Sequence, residues 1–248
     1  MKIAAACCTY RRPEHLGMAI HGFMAQTYAD RQLTILDDAG QFDAQRGDRW
    51  ELHSAPERFP TLGAKRNACM ALALADPSVE SVAVMDDDDY YFPHWLEAIA
   101  ACLASHPWCV AEWVYVERPA GQLTRLATAR SGTAPHHHFH AAWGFRRDAF
   151  LAGGGYLPTL SHGEDTEMYL RLAQRLGPPA DATAGAPPYF VWNGIAPRPT
   201  THLSLLAPAN GYASLAGPPA EKTAVCIRPA PDYAAMAAAE RAARLGGP

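Results

Sequence analysis

The sequence predicts an α/β fold, a mostly parallel sheet flanked by helices, followed by a less regular second half. Three observations carry this prediction. Strand-like and helix-like segments alternate through residues 2–105, as they do in successive βαβ units. The strand-like runs are short and continuously apolar, as strands buried on both faces are. Three of these runs end in polar residues: Thr9-Tyr10-Arg11, Asp37-Asp38, and the four aspartates Asp86, Asp87, Asp88 and Asp89. Open α/β sheets bind ligands at the carboxyl ends of their strands, so the chemistry gathers along one edge.

Each element has its own warrant. Residues 2–8 form the first strand; their apolar stretch is too short for a signal peptide and is interrupted at once by residues 9–13. Residues 13–26 follow as a helix with Pro13 in its first turn, where the missing N–H is not needed. Residues 33–36 form a strand that runs into Asp37-Asp38-Ala39-Gly40, and 51–54 a short one. Residues 62–75 have helical spacing. Asp76-Pro77 breaks the chain before the strand 79–85, and Tyr90-Tyr91-Phe92-Pro93 leads from the aspartates into a helix over 94–105. In the second half, 110–117 and 123–128 form a strand pair joined around Pro119-Ala120-Gly121, and 138–145 a further strand. Residues 165–176 make an amphipathic helix. The stretch 177–219, rich in Pro, Gly and Ala, reads as long loops around one strand at 189–192. An Ala-rich helix over 233–245 closes the chain.

Composition excludes several classes. Of 248 residues 49% are apolar and 19% charged, ordinary for a globular protein with a full core. The net charge of −4 offers no basic field for nucleic acid. No apolar run reaches the length of a membrane span. The six cysteines show no CxxC and no paired metal spacing, so we expect reduced, buried thiols and a cytoplasmic location.

Four adjacent carboxylates at a strand end repel one another unless a cation holds them. Hard oxygen donors favour Mg²⁺ or Mn²⁺, ions that complete their shells with substrate phosphates. A solvated acidic loop is the competing reading of this run alone.

Taken in order, the polar blocks resemble the family 2 glycosyltransferases of the GT-A (Rossmann-like) fold. Cys8-Thr9-Tyr10-Arg11-Arg12-Pro13 is similar to the family's first-strand signature, and Leu36-Asp37-Asp38-Ala39-Gly40 to its second-strand turn, with Gly40 where Ser is commoner. Gly63-Ala64-Lys65-Arg66-Asn67 resembles the segment before the metal strand. Met85-Asp86-Asp87-Asp88-Asp89 resembles the DXD element. Phe145-Arg146-Arg147 with Gly153-Gly154-Gly155-Tyr156 resembles a downstream turn, and His162-Gly163-Glu164-Asp165 the Glu-Asp motif that opens a helix. The resemblance spans about residues 2–176.

It implies one GT-A domain over 1–248: a nucleotide-sugar half over about 1–110, an acceptor side over about 111–220, and a C-terminal helix over 231–245. It implies inverting, metal-dependent transfer from a nucleotide-diphosphate sugar, UDP-sugar favoured, to an acceptor hydroxyl. Asp88 is then the first metal ligand, with Asp86 direct or through water, and Mn²⁺ or Mg²⁺ as the ion. Asp87 is expected near the ribose hydroxyls, while Asp89 is left between ligand and cap of the following turn. Asp165 is the expected base, with Glu164 supporting it or touching the acceptor. Asp37 and Asp38 address the nucleoside, Thr9 and Arg11 lie beside them, and Arg66 and Lys65 line the crevice wall. For Lys65 a solvated helix face competes. His202 is expected to complete the metal shell. His136, His137, His138 and His140 are read as a surface or acceptor-facing loop, and Trp143 as the aromatic most suited to stack on a sugar. A nucleotidyltransferase and a non-catalytic nucleotide-sugar binding module are the alternatives. The acceptor stays open among glycan, protein, small molecule and modified nucleobase.

Overall fold

The computed structural model describes residues 1–118, 122–127, 140–183, 190–192, 224–229 and 232–245. Its centre is an eight-stranded sheet. Strands β1 (Lys2–Thr9), β2 (Arg31–Asp37), β4 (Trp50–Ser54) and β5 (Val79–Asp86) run parallel in the order β4-β2-β1-β5. The short β3 (Gln45–Gly47) closes one edge antiparallel to β4. Beyond β5 come β10 (Gly144–Arg146), antiparallel to it, then β7 (Trp108–Val110) and β11 (Ala180–Asp181).

Alternate residues of β1 serve two cores, as the pleat requires. Ile3, Ala5 and Cys7 pack with Leu16, Ile20 and Phe23 of α1 (Pro13–Met24) and Ile99 of α3 (Trp95–Leu103). Ala4 and Ala6 pack with Cys69 and Met70 of α2 (Leu62–Ala73) and Met168 and Leu172 of α5 (Glu164–Leu176). Alanines dominate the middle of β1, so helices approach this strand closely from both faces. Register aligns the ends: Thr9 pairs with Asp37, and Cys8 with Asp86. All three polar strand ends therefore sit side by side.

A second, four-stranded sheet has the order β6-β12-β8-β9. It comprises β6 (Tyr90–Tyr91), β12 (Phe190–Trp192), β8 (Trp113–Arg118) and β9 (Gln122–Ala127). Since β6 follows the aspartates directly, this sheet is anchored at the acidic turn. The last helix, α6 (Tyr233–Leu245), covers it, with Met236 and Ala237 against Phe92, Tyr115 and Leu123.

Three expectations are corrected. Residues 140–145 are not one strand: His140–Ala142 form a 3-10 turn, and only Gly144–Arg146 join the sheet. The Trp143 N–H donates to the His140 carbonyl at 3.1 Å, a turn that carries the His140 side chain inward. Trp143 itself is buried edge-on to Trp108 and His140, so its faces are spent in the core and it offers no sugar platform. The single strand expected at 110–117 divides into β7 and β8, where the chain passes from one sheet to the other. Helix α4 (Arg147–Gly153) was not foreseen; it ends at Gly154, whose φ of 81° suits glycine. The loop expected over 177–219 lies largely outside the described residues.

Candidate active site

The acidic turn is built on β1 and β5. Thr9 Oγ1 donates to Asp87 Oδ2 at 2.6 Å, and Arg12 Nη1 reaches Asp87 Oδ1 and Asp88 Oδ2, each at 2.8 Å. Arg12 stands at the N-cap of α1, placed there by Pro13 at the first helical position. Burial pushes the Asp87 carboxyl up, and Arg12 only partly opposes it. Oxygens of Asp86, Asp88 and Asp89 lie within 4.8 Å of one another. Burial, together with the charges of Asp88 and Asp87, pushes Asp86 up to about 6, against the pull of Arg66. Three hard carboxylate oxygens converging at a strand end fit a divalent cation. Asp86, Asp88 and Asp89 are the residues that would hold it.

The neighbouring wall comes from β2 and α2. Asp37 folds its own turn, accepting from the N–H groups of Ala39 (2.9 Å) and Gln41 (3.1 Å), while Gly40 takes a φ of 65°. Burial raises its carboxyl. Asp38 accepts from the Phe59 N–H at 3.2 Å and pairs with Lys65 Nζ, which also donates to the Thr9 carbonyl at 2.6 Å. Lys65 is only 3% exposed. It is therefore a buried strut between β1 and β2, and the solvated-face reading is overturned. The Arg58 guanidinium lies 3.7 Å from the centre of the Tyr10 ring. Arg11 is exposed at the end of β1 with a φ of 55°.

Across the crevice stands the start of α5. Glu164 is buried and accepts from Arg66 Nε at 3.1 Å. The same guanidinium lies 3.6 Å from Asp86 Oδ1 and 2.7 Å from His140 Nδ1. Arginine only donates, so His140 Nδ1 accepts and its proton sits on Nε2, which donates to the Tyr156 hydroxyl at 2.6 Å. Burial, reinforced by Arg66, holds His140 well below its ordinary value, so the ring is neutral. Burial raises Glu164, with Arg66 opposing. Next to it, Asp165 accepts from the Thr166 N–H at 2.7 Å and is only half-buried, leaving the carboxylate reachable.

The structure thus brings Thr9, Asp38, Lys65, Arg66, Asp86, Asp87, Asp88 and Glu164 into one connected set, with Asp165 adjoining it. Asp87 is held by Thr9 and Arg12, and Asp37 is turned into its own loop. His202, His136, His137 and His138 lie outside the described residues. Sequence reasoning gave Arg12 and Tyr156 no role of their own, although both stand in blocks it singled out. It read His140 as part of a surface or acceptor-facing loop, and this is corrected: His140 is buried between Arg66 and Tyr156, partners that no local pattern reveals.

Comparison with known proteins bears on the family and the fold. The family model described as glycosyl transferase family 2 matches residues 6–154. An uncharacterised glycosyltransferase of Nostoc sp. is 33% identical over 107 residues, 40% of this chain and 32% of that protein. The crystal structure of S. aureus TarS 1-349 superposes with a TM-score of 0.55 at 13% identity, covering 78% of this chain and 60% of that one. A mannosyltransferase of Pyrobaculum calidifontis, in complex with GDP-Man and Mn²⁺, gives 0.50 at 15% identity, covering 77% and 56%. At such identities the structural likeness shows the fold. The chain spans about a third of the Nostoc relative's length.

Proposed function

We propose, from the premise that this chain belongs to glycosyl transferase family 2, that it is a metal-dependent inverting glycosyltransferase. Its donor is a nucleotide-diphosphate sugar, UDP-sugar first among them, and its acceptor supplies a hydroxyl. One observation carries the reading. The Arg66 guanidinium spans Asp86 of the acidic turn and Glu164, the neighbour of Asp165, so a candidate cation site and a reachable carboxylate share one crevice. Inversion needs a base on the sugar face opposite the leaving group.

In this reading Asp86, Asp88 and Asp89 hold Mn²⁺ or Mg²⁺, with His202 as a further ligand. The bound ion supplies Lewis-acid neutralisation of the charge on the departing diphosphate. The chain's own residues do the rest. Asp38, braced by Lys65, faces the nucleoside, and Asp37 shapes the turn that presents it. Thr9 and Arg11 flank that subsite, and Asp87 fixes the acidic turn to β1. Asp165 takes the acceptor's proton as its oxygen bonds to the anomeric carbon and the bond to the diphosphate oxygen breaks. Glu164, held by Arg66, keeps the start of α5 in place. Residues 1–110 form the donor half and 111–220 the acceptor side of one domain. Complexes of TarS with UDP-GlcNAc and of the Pyrobaculum calidifontis mannosyltransferase with GDP-Man and Mn²⁺ support the donor class. Among the described residues no helix is long and apolar enough to cross a membrane. The free cysteines support a cytoplasmic setting.

A thermal-shift screen of UDP-, GDP-, CMP- and dTDP-sugars, with and without Mn²⁺, tests the reading. One nucleoside class is expected to stabilise the protein, and only with Mn²⁺. Equal stabilisation with and without Mn²⁺, or stabilisation by nothing in the panel, overturns it.

A further inference from the structure

Two guanidinium groups neutralise the acidic turn, and they are held very differently. Arg66 is fixed by Glu164 and His140 as well as facing Asp86. Arg12 is 26% exposed at its side chain and bridges Asp87 and Asp88 through one nitrogen, Nη1. Its partners are not equivalent either. Asp87 is buried and has a second donor in Thr9, whereas Asp88 is 25% exposed and belongs to the converging trio with Asp86 and Asp89. A divalent ion among those three oxygens and a guanidinium on Asp88 claim the same carboxylate, and the two cations repel. Arg66 has no freedom to withdraw; Arg12 has solvent beside it.

We propose that Arg12 is the resident counter-ion of the acidic turn, holding Asp88 while the site is free of metal and releasing it when a divalent cation enters. The inference rests on the metal-dependent reading above. In the metal-free protein Arg12 offsets the like-charge repulsion that Asp86, Asp88 and Asp89 impose on one another. On metal entry the Nη1 contact to Asp88 breaks, while the contact to Asp87 keeps the side chain at the edge of the site. Arg12 thereby tunes metal affinity downward and ties the entrance of α1 to the loading state of the crevice.

The test is calorimetric titration of Mn²⁺, without nucleotide and at fixed ionic strength, into the parent protein, Arg12→Gln, Arg12→Lys and Asp88→Ala. Melting curves in chelator run alongside. Losing one charge-assisted contact predicts Mn²⁺ binding about ten- to hundredfold tighter in Arg12→Gln, with a lower melting temperature in chelator. Arg12→Lys keeps the charge on a side chain one atom shorter, so its nitrogen falls short of the position that Nη1 occupies between the two carboxylates. It too is expected to bind Mn²⁺ more tightly than the parent, which separates displacement from a general field effect. Equal or weaker Mn²⁺ binding by Arg12→Gln overturns the inference, as does Arg12→Lys titrating like the parent. If the parent's Mn²⁺ binding is lost in Asp88→Ala under either of those outcomes, the metal site stands and only the role of Arg12 falls. Absence of Mn²⁺ binding in every protein overturns both.

Discussion

His140 and Asp86 face one guanidinium, and their protons respond to pH in opposite senses. Burial lowers His140, so between its folded and unfolded values the unfolded chain binds the extra proton. That stability is complete above the unfolded value near 6.5 and is lost as pH falls below it. Asp86 is raised to about 6, so its contribution is present at low pH and lost as pH rises through that value. Comparing the parent with His140→Gln cancels the Asp86 part. The parent is expected to lose more stability than the variant between pH 7.5 and pH 5 in urea unfolding. Equal losses would mean that His140 is not held neutral. Asp88→Ala is expected to abolish Mn²⁺-dependent binding of UDP and GDP, yet to leave the fold intact, because Asp88 is partly exposed and Arg12 retains Asp87. Unchanged Mn²⁺-dependent affinity would remove Asp88 from the site.

At the scale of elements, the crevice depends on how α2 meets the loop before α5. Thr61 caps α2 by accepting from the Ala64 N–H at 3.1 Å and donates to the Pro158 carbonyl at 2.5 Å. The Gly63 N–H donates to the Leu160 carbonyl at 2.9 Å, and a Cβ on Gly63 would run into the Leu157 carbonyl. Gly63→Ala should therefore cost about 1–3 kcal/mol by overpacking against backbone that has no rotamer to yield. Chemical denaturation checks it, and a neutral result would show that residues 157–160 sit on α2 more loosely than described. These contacts explain what the sequence disclosed. β1, β2, β5, α1, α2 and α5 were readable because each carries its own period or apolar run, and their order alone implies a parallel sheet. The 3-10 turn at His140–Ala142 was not, because it is set by Arg66 and Tyr156, partners distant in sequence. Trp143 misled for the same reason: nothing local says that Trp108 and Tyr169 close around it.

The whole molecule joins a first half patterned as alternating strands and helices to a second half whose elements are shorter and less regular. Strand ends in the first half fall in register, so the polar blocks met in the sequence meet in space. Arg12 and Lys65 show the limit of that legibility. Their charges were visible, but whether each faces solvent or carboxylates depends on strands brought together from elsewhere in the chain. The central claim is that Asp165 supplies base chemistry at the wall facing the acidic turn. Its most direct test is the turnover of Asp165→Asn with saturating nucleotide-sugar and Mn²⁺, read as nucleoside diphosphate released alongside donor affinity by calorimetry. Asn keeps the size and the oxygen that accepts from the Thr166 N–H but not the basicity. We expect parental donor affinity with turnover lower by about 10²–10⁴-fold, the usual contribution of a positioned base. Turnover close to that of the parent would contradict the account.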